Sequence, residues 1–121
     1  MKIKTSVEIK APVSAAWEVF GERFADVSDW ADSIVKSSLE GPLGVGAVRT
    51  CDIKAIGPVK AGKVTEEVTV FDSNTHALTY KLTSGIPNIM TSIENAWTIE
   101  AVGDNACKVT SYATFDLKWW A

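Results

Sequence analysis

The sequence of 121 residues contains one histidine and two cysteines, and this scarcity excludes several kinds of site. Cys51 and Cys107 lie far apart, with no C-x-x-C pair and no histidine close to them in the sequence. A zinc site of cysteine and histidine ligands is therefore excluded, and two buried thiols in strands are expected, with a disulfide as the alternative. His76 follows a turn signal, so we expect it at an exposed strand end, without partners for a catalytic triad.

Motifs that bind phosphate or catalytic metal are also missing. The sequence has no G-x-G-x-x-G, no P-loop and no H-E-x-x-H. Asp26, Asp29 and Asp32 recur every three residues, but helix capping and a solvated face explain this spacing more simply than a divalent cation. We therefore predict neither a metal site nor a cofactor.

Long apolar runs are absent from the sequence as well. No segment approaches the roughly 18 apolar residues of a transmembrane helix, and no signal-peptide core follows Met1. The 12 basic and 15 acidic residues give a net charge of −3, which shows no bias toward nucleic acid. The sequence thus predicts a cytoplasmic protein that neither spans a membrane nor binds nucleic acid.

The chain does contain enough apolar material for one core. Hydrophobic residues make up 46% of the sequence, and five residues are tryptophans, whose large rings fill either a core or the wall of a pocket. No linker, internal repeat or low-complexity segment interrupts the pattern. We therefore predict a single domain over residues 1–121.

The first third of the chain changes from strand to helix periodicity. Residues 2–10 alternate, with Ile3, Thr5, Val7 and Ile9 on one side, which predicts a half-buried strand that Pro12 ends. Helical spacing follows, and the residues that share one helical face are Val13, Ala16, Trp17, Phe20 and Phe24. Gly21 is expected to interrupt or end this helix, and a second short helix is predicted from Phe24 to Ala31.

Period-two alternation begins at Ile34 and continues to the end of the sequence. It predicts six strands, near residues 34–40, 47–56, 62–72, 75–83, 91–101 and 107–118. Turn residues separate them, so consecutive hairpins are expected to form an antiparallel sheet. The predicted class is α+β, with two short helices that are too small to cover the whole sheet.

Several motifs together resemble one superfamily. They are Val7-x-Ile9-x-Ala11-Pro12-Val13-x-x-x-Trp17-x-x-Phe20, Trp30, Gly46-Ala47-Val48-Arg49, Glu66-x-x-x-x-Phe71-Asp72 and Leu78-Thr79-Tyr80. In this order they resemble the START/polyketide-cyclase (SRPBCC) superfamily, the birch-pollen-allergen-like group. The nearest branch is the polyketide cyclase/dehydrase-like proteins, and the resemblance runs through essentially the whole chain.

The resemblance implies a helix-grip fold, in which a curved seven-stranded antiparallel sheet grips a long C-terminal helix over an apolar cavity. No such helix follows Trp120 in this sequence, so we expect an open groove lined by Trp97, Phe115 and Trp119. If the 121 residues are the whole protein, this exposed apolar groove predicts a homodimer that covers it.

Arg49 and Glu66 are the strongest candidates for polar groups in the groove. Arg49 shares a strand face with Ala47 and Cys51, where it would anchor a ligand's carboxylate or carbonyl; the alternative is a surface arginine. Glu66 alternates with Val64, Val68 and Val70, so it is an acid–base candidate if that face lines the cavity. The alternative for Glu66 is a rim carboxylate paired with a lysine.

The remaining candidates are aromatic and apolar. Tyr80 alternates in phase with Leu78 and Leu82, whereas Tyr112 is out of phase with Phe115, so the two phenols are expected on opposite faces. The segment from Ser84 to Asn88 is predicted to be a flexible lip from which Ile86 caps a ligand. Trp97 and Phe115 complete the predicted ligand-binding set, which consists of Arg49, Glu66, Tyr80, Ile86, Trp97 and Phe115.

These residues lead to three hypotheses about function. The first is the binding of a hydrophobic small molecule, either a lipid or a polyketide-like compound, in the cavity or groove. The second is a polyketide cyclase/dehydratase-like enzyme that uses Glu66, Arg49 or Tyr80 as acid–base groups. The third is a protein-interaction module that uses the open groove, since one fold of this kind supports many functions.

Overall fold

A computed structural model describes residues 1–55 and 60–120, which form seven strands and three short helical segments. The strands are β1 (Lys2–Ile9), β2 (Ile34–Glu40), β3 (Val48–Ile53), β4 (Gly62–Asp72), β5 (Ala77–Ser84), β6 (Met90–Ala101) and β7 (Cys107–Leu117). Between β1 and β2 lie an α-helix, α1 (Val13–Trp17), a π-helical turn (Glu18–Glu22) and a 3-10 segment (Phe24–Asp29). All seven predicted strands are present, and the predicted end of β3 at residue 56 lies outside the described residues.

The strands form one antiparallel sheet in the order β1-β7-β6-β5-β4-β3-β2. Each of β2 to β7 pairs with its neighbour along the chain, and β1 closes the order by pairing with β7. The predicted α+β class and seven-stranded antiparallel sheet are therefore confirmed. The register places Arg49 opposite Glu66, Leu78 opposite Trp97 and Ile99 opposite Val109 on the face that the helices cover.

The helical region is more irregular than the sequence predicts. Pro12 is extended, and its carbonyl accepts hydrogen bonds from the first turn of α1. After Trp17 the helix widens, and the N–H of Arg23 donates to the carbonyl of Glu18 at 2.8 Å. Gly21 lies in this wide turn against the indole of Trp17, where an added Cβ would come within 2.6 Å of the ring. The close approach to Trp17 explains the glycine, and Phe24 belongs to the next segment rather than to the same helix.

Strand β5 begins at Ala77, two residues later than predicted, because a turn occupies the preceding residues. The carboxylate of Asp72 accepts hydrogen bonds from the backbone N–H groups of Asn74 and Thr75, and this fixes the turn. His76 then adopts a left-handed conformation with φ of 58°, and its ring packs edge-on against Trp17 at 5.6 Å. The single histidine therefore supports the aromatic core instead of standing free in solvent.

The core lies at the end of the sheet that the helices cover. Its buried residues are Ala16, Trp17, Phe24, Ala47, Val68, Leu78, Tyr80, Ile99, Cys107 and Val109. The helices supply three of them, Ala47 lies just before β3, and strands supply the rest, so the two layers meet over the middle strands. Cys51 and Cys107 are both buried free thiols, as expected.

The prediction that β1 is half-buried is wrong. Ile3 and Val7 are 53% and 54% exposed, and only Ile9 packs against the core. The alternation was correctly placed, but the short helices reach only the end of β1 near Ile9. A bulge in β4 between Val68 and Val70 has a similar effect, because it leaves Val70 44% exposed although Val68 is buried.

No helix of the described residues is long and apolar enough to cross a membrane. After β7, residues 118–120 form a turn, and in the described part of the chain no long C-terminal helix covers the sheet. Trp119, which was expected to line the groove, is 95% exposed instead.

Candidate functional site

Arg49 and Glu66 form a buried ion pair at the centre of the covered face. They lie opposite each other on β3 and β4, and Arg49 Nε donates to Glu66 Oε1 at 3.0 Å. Their side chains are only 6% and 9% exposed. The neighbouring Glu67 points to the other face, where it pairs with Lys81 at 3.8 Å near solvent. The structure therefore places Arg49 and Glu66 inside the molecule, neither on the outer surface nor at the rim.

Aromatic rings and backbone hold the guanidinium of Arg49 in place. Its carbon atom lies 3.8 Å from the centre of the Phe24 ring and 5.0 Å from that of Tyr80. A second nitrogen, Nη1, donates to the carbonyl of Phe24 at 3.0 Å. A flat, delocalised cation suits this contact with two aromatic rings better than an ammonium group would. The 3-10 segment is thereby fastened to β3 through a charged side chain.

Burial shifts the titration of the groups around this pair. The pKa of the Cys51 thiol is raised to about 12, mainly by burial; Arg49 lowers it and Glu66 raises it. The thiol donates to Glu66 Oε1 at 3.4 Å. Burial also raises the pKa of the Tyr80 hydroxyl, with Glu66 acting in the same direction. Burial by itself would lower the pKa of Arg49, but the carboxylate of Glu66 raises it above its ordinary value, so the guanidinium stays charged.

We expect the protein to lose stability steeply above pH 9, because folding keeps the Cys51 thiol protonated. The unfolded thiol ionises near pH 9 and the folded one near pH 12, so the folded state holds the extra proton between these values. The free energy of unfolding therefore falls as the pH rises through this window. Tyr80 adds to the fall from about pH 10 upward, since its pKa is raised as well.

Urea unfolding at pH 7.5, 9.0 and 10.5 measures this loss. Cys51→Ala and Tyr80→Phe each remove one titrating group, so each variant is expected to lose less stability over the same range than the unmodified protein. Equal losses in all three proteins would contradict the assignment.

A narrow cleft of about 30 Å³ lies beside the ion pair. The aromatic and charged residues that line it are Phe20, Phe24, Trp30, Arg49, Tyr80 and Trp97. Phe20 stacks on Trp97 at 5.3 Å and meets Trp30 edge-on at 5.1 Å, so the rings form a continuous wall. A space of this volume admits a single small group of atoms.

An open apolar groove lies further along the same face of the sheet. It has a volume of about 300 Å³, and the apolar residues that line it are Ile53, Val64, Leu82, Pro87 and Ile93. Lys60 and Lys63 also line it. Leu78, Tyr80 and Leu82 alternate on β5, and neighbouring members lie about 7 Å apart, so the cleft and the groove are one step apart.

The segment from Ser84 to Asn88 closes one end of the groove. Gly85 has a φ of +80° and packs on β4, where an added Cβ would meet the Lys63 carbonyl at 2.5 Å. The last residue pair between β5 and β6 is Lys81 with Glu94, so the two strands separate toward this segment. Ile86 lines a further hollow of about 290 Å³ there, together with Leu82 and Ile93. The role of Ile86 as a cap over a ligand stays a prediction.

The other predicted residues lie apart from the cluster. Phe115 pairs with Ile93 on β6, further along the sheet, and is half-buried. Tyr112 lies on the opposite face from the groove, beneath the ammonium groups of Lys2 and Lys4. Asp26 and Asp29 bind Arg23 at 3.4 and 2.7 Å, and the described residues contain no group of metal-ligating side chains.

Sequence reasoning missed the contribution of the helical segments to the cleft. The spacing of Phe20 and Phe24 predicts only that they share one helical face, and Trp30 is indicated only by the resemblance. Helical periodicity shows which side of a helix faces the sheet, but it does not show where along the sheet that side lands. The pairing of Phe24 with Arg49 joins residues 25 positions apart and follows only from the tertiary fold.

The whole chain, residues 1–121, matches the model of a protein family described as polyketide cyclase / dehydrase and lipid transport. No curated protein sequence matches the chain.

Solved structures with a similar fold confirm the helix-grip architecture. The Zhui aromatase/cyclase from Streptomyces sp. R1128 has a TM-score of 0.83 and 16% identity, and the match covers 98% of this chain and 68% of that one. Ginseng major latex-like protein 151 from Panax ginseng has a TM-score of 0.82 and 23% identity over 97% and 79% of the two chains. Norcoclaurine synthase from Thalictrum flavum, in complex with dopamine and hydroxybenzaldehyde, has a TM-score of 0.81 and 17% identity over 99% and 71%.

Proposed function

Because the chain belongs to the polyketide cyclase / dehydrase and lipid transport family, we propose that it binds a hydrophobic small molecule, a lipid or a polyketide-like compound. The observation that carries this proposal is the apolar groove of about 300 Å³ that adjoins the buried cleft. Sites for small molecules are concave and mostly apolar, with a few polar groups that fix orientation. The groove supplies the apolar surface, and Arg49, Tyr80 and Trp97 supply the polar groups.

The ligand lies with its apolar body against Val64, Leu82 and Ile93. These side chains come from three strands and are only partly buried, so a ligand that covers them removes apolar surface from water. Lys60 and Lys63 lie at the edge of the same groove, where their ammonium groups reach solvent. This arrangement suits a molecule that is apolar over most of its length.

Titration with the neutral fluorescent probe N-phenyl-1-naphthylamine tests the proposal. We expect the probe to brighten as it enters the groove, and we expect Ile93→Lys to weaken its binding by about tenfold or more, because the lysine places a charge beside the ligand. Val35→Lys is the matched control, since Val35 lies on β2 and is 68% exposed. A probe that stays dim, or that binds equally to both variants, would refute binding in this groove.

Native mass spectrometry of the purified protein tests ligand and assembly together. A mass above 13.1 kDa by that of a small apolar compound would support the proposal and identify the chemical class of the ligand. The homodimer that would cover the open apolar groove stays a prediction, and an empty dimer would favour the interaction hypothesis over ligand binding. A cytoplasmic location also stays a prediction.

A second candidate function is acid–base catalysis on the bound ligand. The observation that favours it is the buried carboxylate of Glu66, which lies opposite Arg49 beside the cleft and belongs to a residue type that serves as a general acid or base. Nuclear magnetic resonance can follow deuterium exchange at the methyl group of 2-acetylnaphthalene in D2O. Exchange faster than in buffer, and lost in Glu66→Gln, would establish catalysis; exchange at the buffer rate would restrict the protein to binding.

A further inference from the structure

The indole of Trp97 carries a buried hydrogen-bond donor that the fold leaves unused. Its Nε1 is shielded from solvent and makes no hydrogen bond within the described residues. The indole also lies near the Tyr80 hydroxyl, whose pKa it lowers. Buried donors in proteins nearly always have an acceptor, so an unpaired one at a cleft is typical of a site that is completed by another molecule.

Two nitrogens of the neighbouring Arg49 are already occupied. Arg49 Nε donates to Glu66 and Nη1 donates to the carbonyl of Phe24. The indole N–H of Trp17 is occupied as well, because it donates to Glu22 Oε1 at 3.0 Å outside the cleft. Trp97 is the donor with the clearest need of an acceptor, because its ring lines the cleft while its buried N–H has no partner within the described residues.

The charge of the cluster limits what this acceptor can be. The positive charge of Arg49 is balanced by the carboxylate of Glu66, so the pair is neutral as a unit. An anionic group in the cleft would lose its hydration without gaining an unpaired cation, which is strongly unfavourable. An uncharged oxygen would lose far less hydration and would gain the hydrogen bond of the indole.

The size of the cleft limits the acceptor in the same way. A volume of about 30 Å³ holds one oxygen-bearing group but no ring or chain. The apolar remainder of a ligand must therefore lie in the adjoining groove.

We propose that the cleft selects ligands by an uncharged oxygen acceptor, such as a ketone carbonyl, which accepts a hydrogen bond from Trp97 Nε1 while the apolar body lies in the groove. This inference rests on the proposed function and specifies the class of ligand. A carboxylate of the same shape is disfavoured, because Glu66 already neutralises Arg49. The Arg49–Glu66 pair thus acts as a neutral wall and not as an anion site.

Three naphthalenes of similar shape test this selection by displacing N-phenyl-1-naphthylamine. They are 2-acetylnaphthalene, which has a ketone, 2-isopropenylnaphthalene, which has no acceptor, and 2-naphthoate, which has a carboxylate. The ratio of ketone affinity to alkene affinity is measured in the unmodified protein and in Trp97→Phe, which keeps the ring and removes the N–H. We expect this ratio to fall about five- to tenfold in Trp97→Phe, as for the loss of one buried hydrogen bond.

Trp17→Phe is the matched control, since it also removes a buried indole N–H but outside the cleft, and it should keep the ratio of the unmodified protein. A ratio that is equal in the unmodified protein and Trp97→Phe would overturn the inference. So would tighter binding of the carboxylate than of the ketone. Either result leaves the proposed function intact, whereas failure of the probe and all three naphthalenes to bind would remove the proposed function itself.

A second measurement does not depend on the folding of a variant. The protein has five indole N–H groups, and their resonances are resolved by nitrogen-15 labelling. We expect the ketone to shift the Trp97 resonance downfield, as a new hydrogen bond does, and the alkene to leave it without such a shift. No difference between the two compounds would overturn the inference.

Discussion

Arg49→Leu is expected to lower the free energy of unfolding by about 3–5 kcal/mol, because it leaves the carboxylate of Glu66 buried without its partner. The loss follows from burial, since the two side chains are 6% and 9% exposed and joined at 3.0 Å. The substitution also removes the hydrogen bond to the Phe24 carbonyl and the contact with the Phe24 ring. Urea unfolding, with the midpoint and slope compared with the unmodified protein, measures the change.

The double variant Arg49→Leu/Glu66→Leu distinguishes the stability lost by leaving one charge unpaired from the stability lost by changing the side-chain volume. Removing both charges leaves no unpaired ion, so the double variant should be more stable than either single variant. Lys81→Leu is the surface control, because the Lys81–Glu67 pair is solvated and should contribute no more than about 1 kcal/mol. A loss in Arg49→Leu as small as that in Lys81→Leu would show that Glu66 is compensated in another way.

Phe24→Ala is the second substitution with a large expected effect. Phe24 is 1% exposed, and its ring contacts both the Arg49 guanidinium and the Tyr80 ring, at 3.8 and 5.5 Å. Truncation of a buried phenylalanine costs about 3–5 kcal/mol, and here the cation also loses its aromatic partner. The cavity opens directly into the cleft, so we expect Phe24→Ala to bind naphthalene-sized probes with altered affinity as well as to unfold at lower urea.

Phe24→Leu keeps the fold testable if the alanine variant does not accumulate. Its smaller cavity should cost clearly less than alanine, and the order of the two variants in the midpoint of urea unfolding is the check. Trp30→Ala removes another ring of the cleft, but Trp30 is 45% exposed, so a smaller loss is expected. A loss in Trp30→Ala equal to that in Phe24→Ala would contradict the assignment of Phe24 to the core.

The strands and most of their ends could be predicted from local chemistry. Period-two alternation places β2 at the residues found, and Pro12 ends the first strand because it cannot donate to the ladder. The grouping of Arg49 with Ala47 and Cys51 on one strand face was also correctly predicted from alternation, whereas the burial of that face was left open. Such features depend on a few neighbouring residues, so the sequence contains them directly.

Burial along β1 and β4 could not be predicted in the same way. The alternation of Ile3 and Val7 is that of a buried strand face, yet both are half exposed, because burial depends on which element lies above them. The bulge between Val68 and Val70 reverses the side on which Val70 lies, and it arises from the register with β5. The widened turn from Glu18 could not be predicted from the sequence either, because it depends on the close contact between Gly21 and the Trp17 ring.

The sequence by itself determined the class, the strand order along the chain and which side chains share a strand face with Arg49 and with Glu66, because these follow from periodicity and residue type. Only the tertiary structure decided that Arg49 pairs with Glu66, that Phe24 stacks on the pair and that the N–H of Trp97 is left without an acceptor. These contacts join residues far apart in the chain. Their geometry depends on strand register and on where the helices land, which no local pattern of residues specifies.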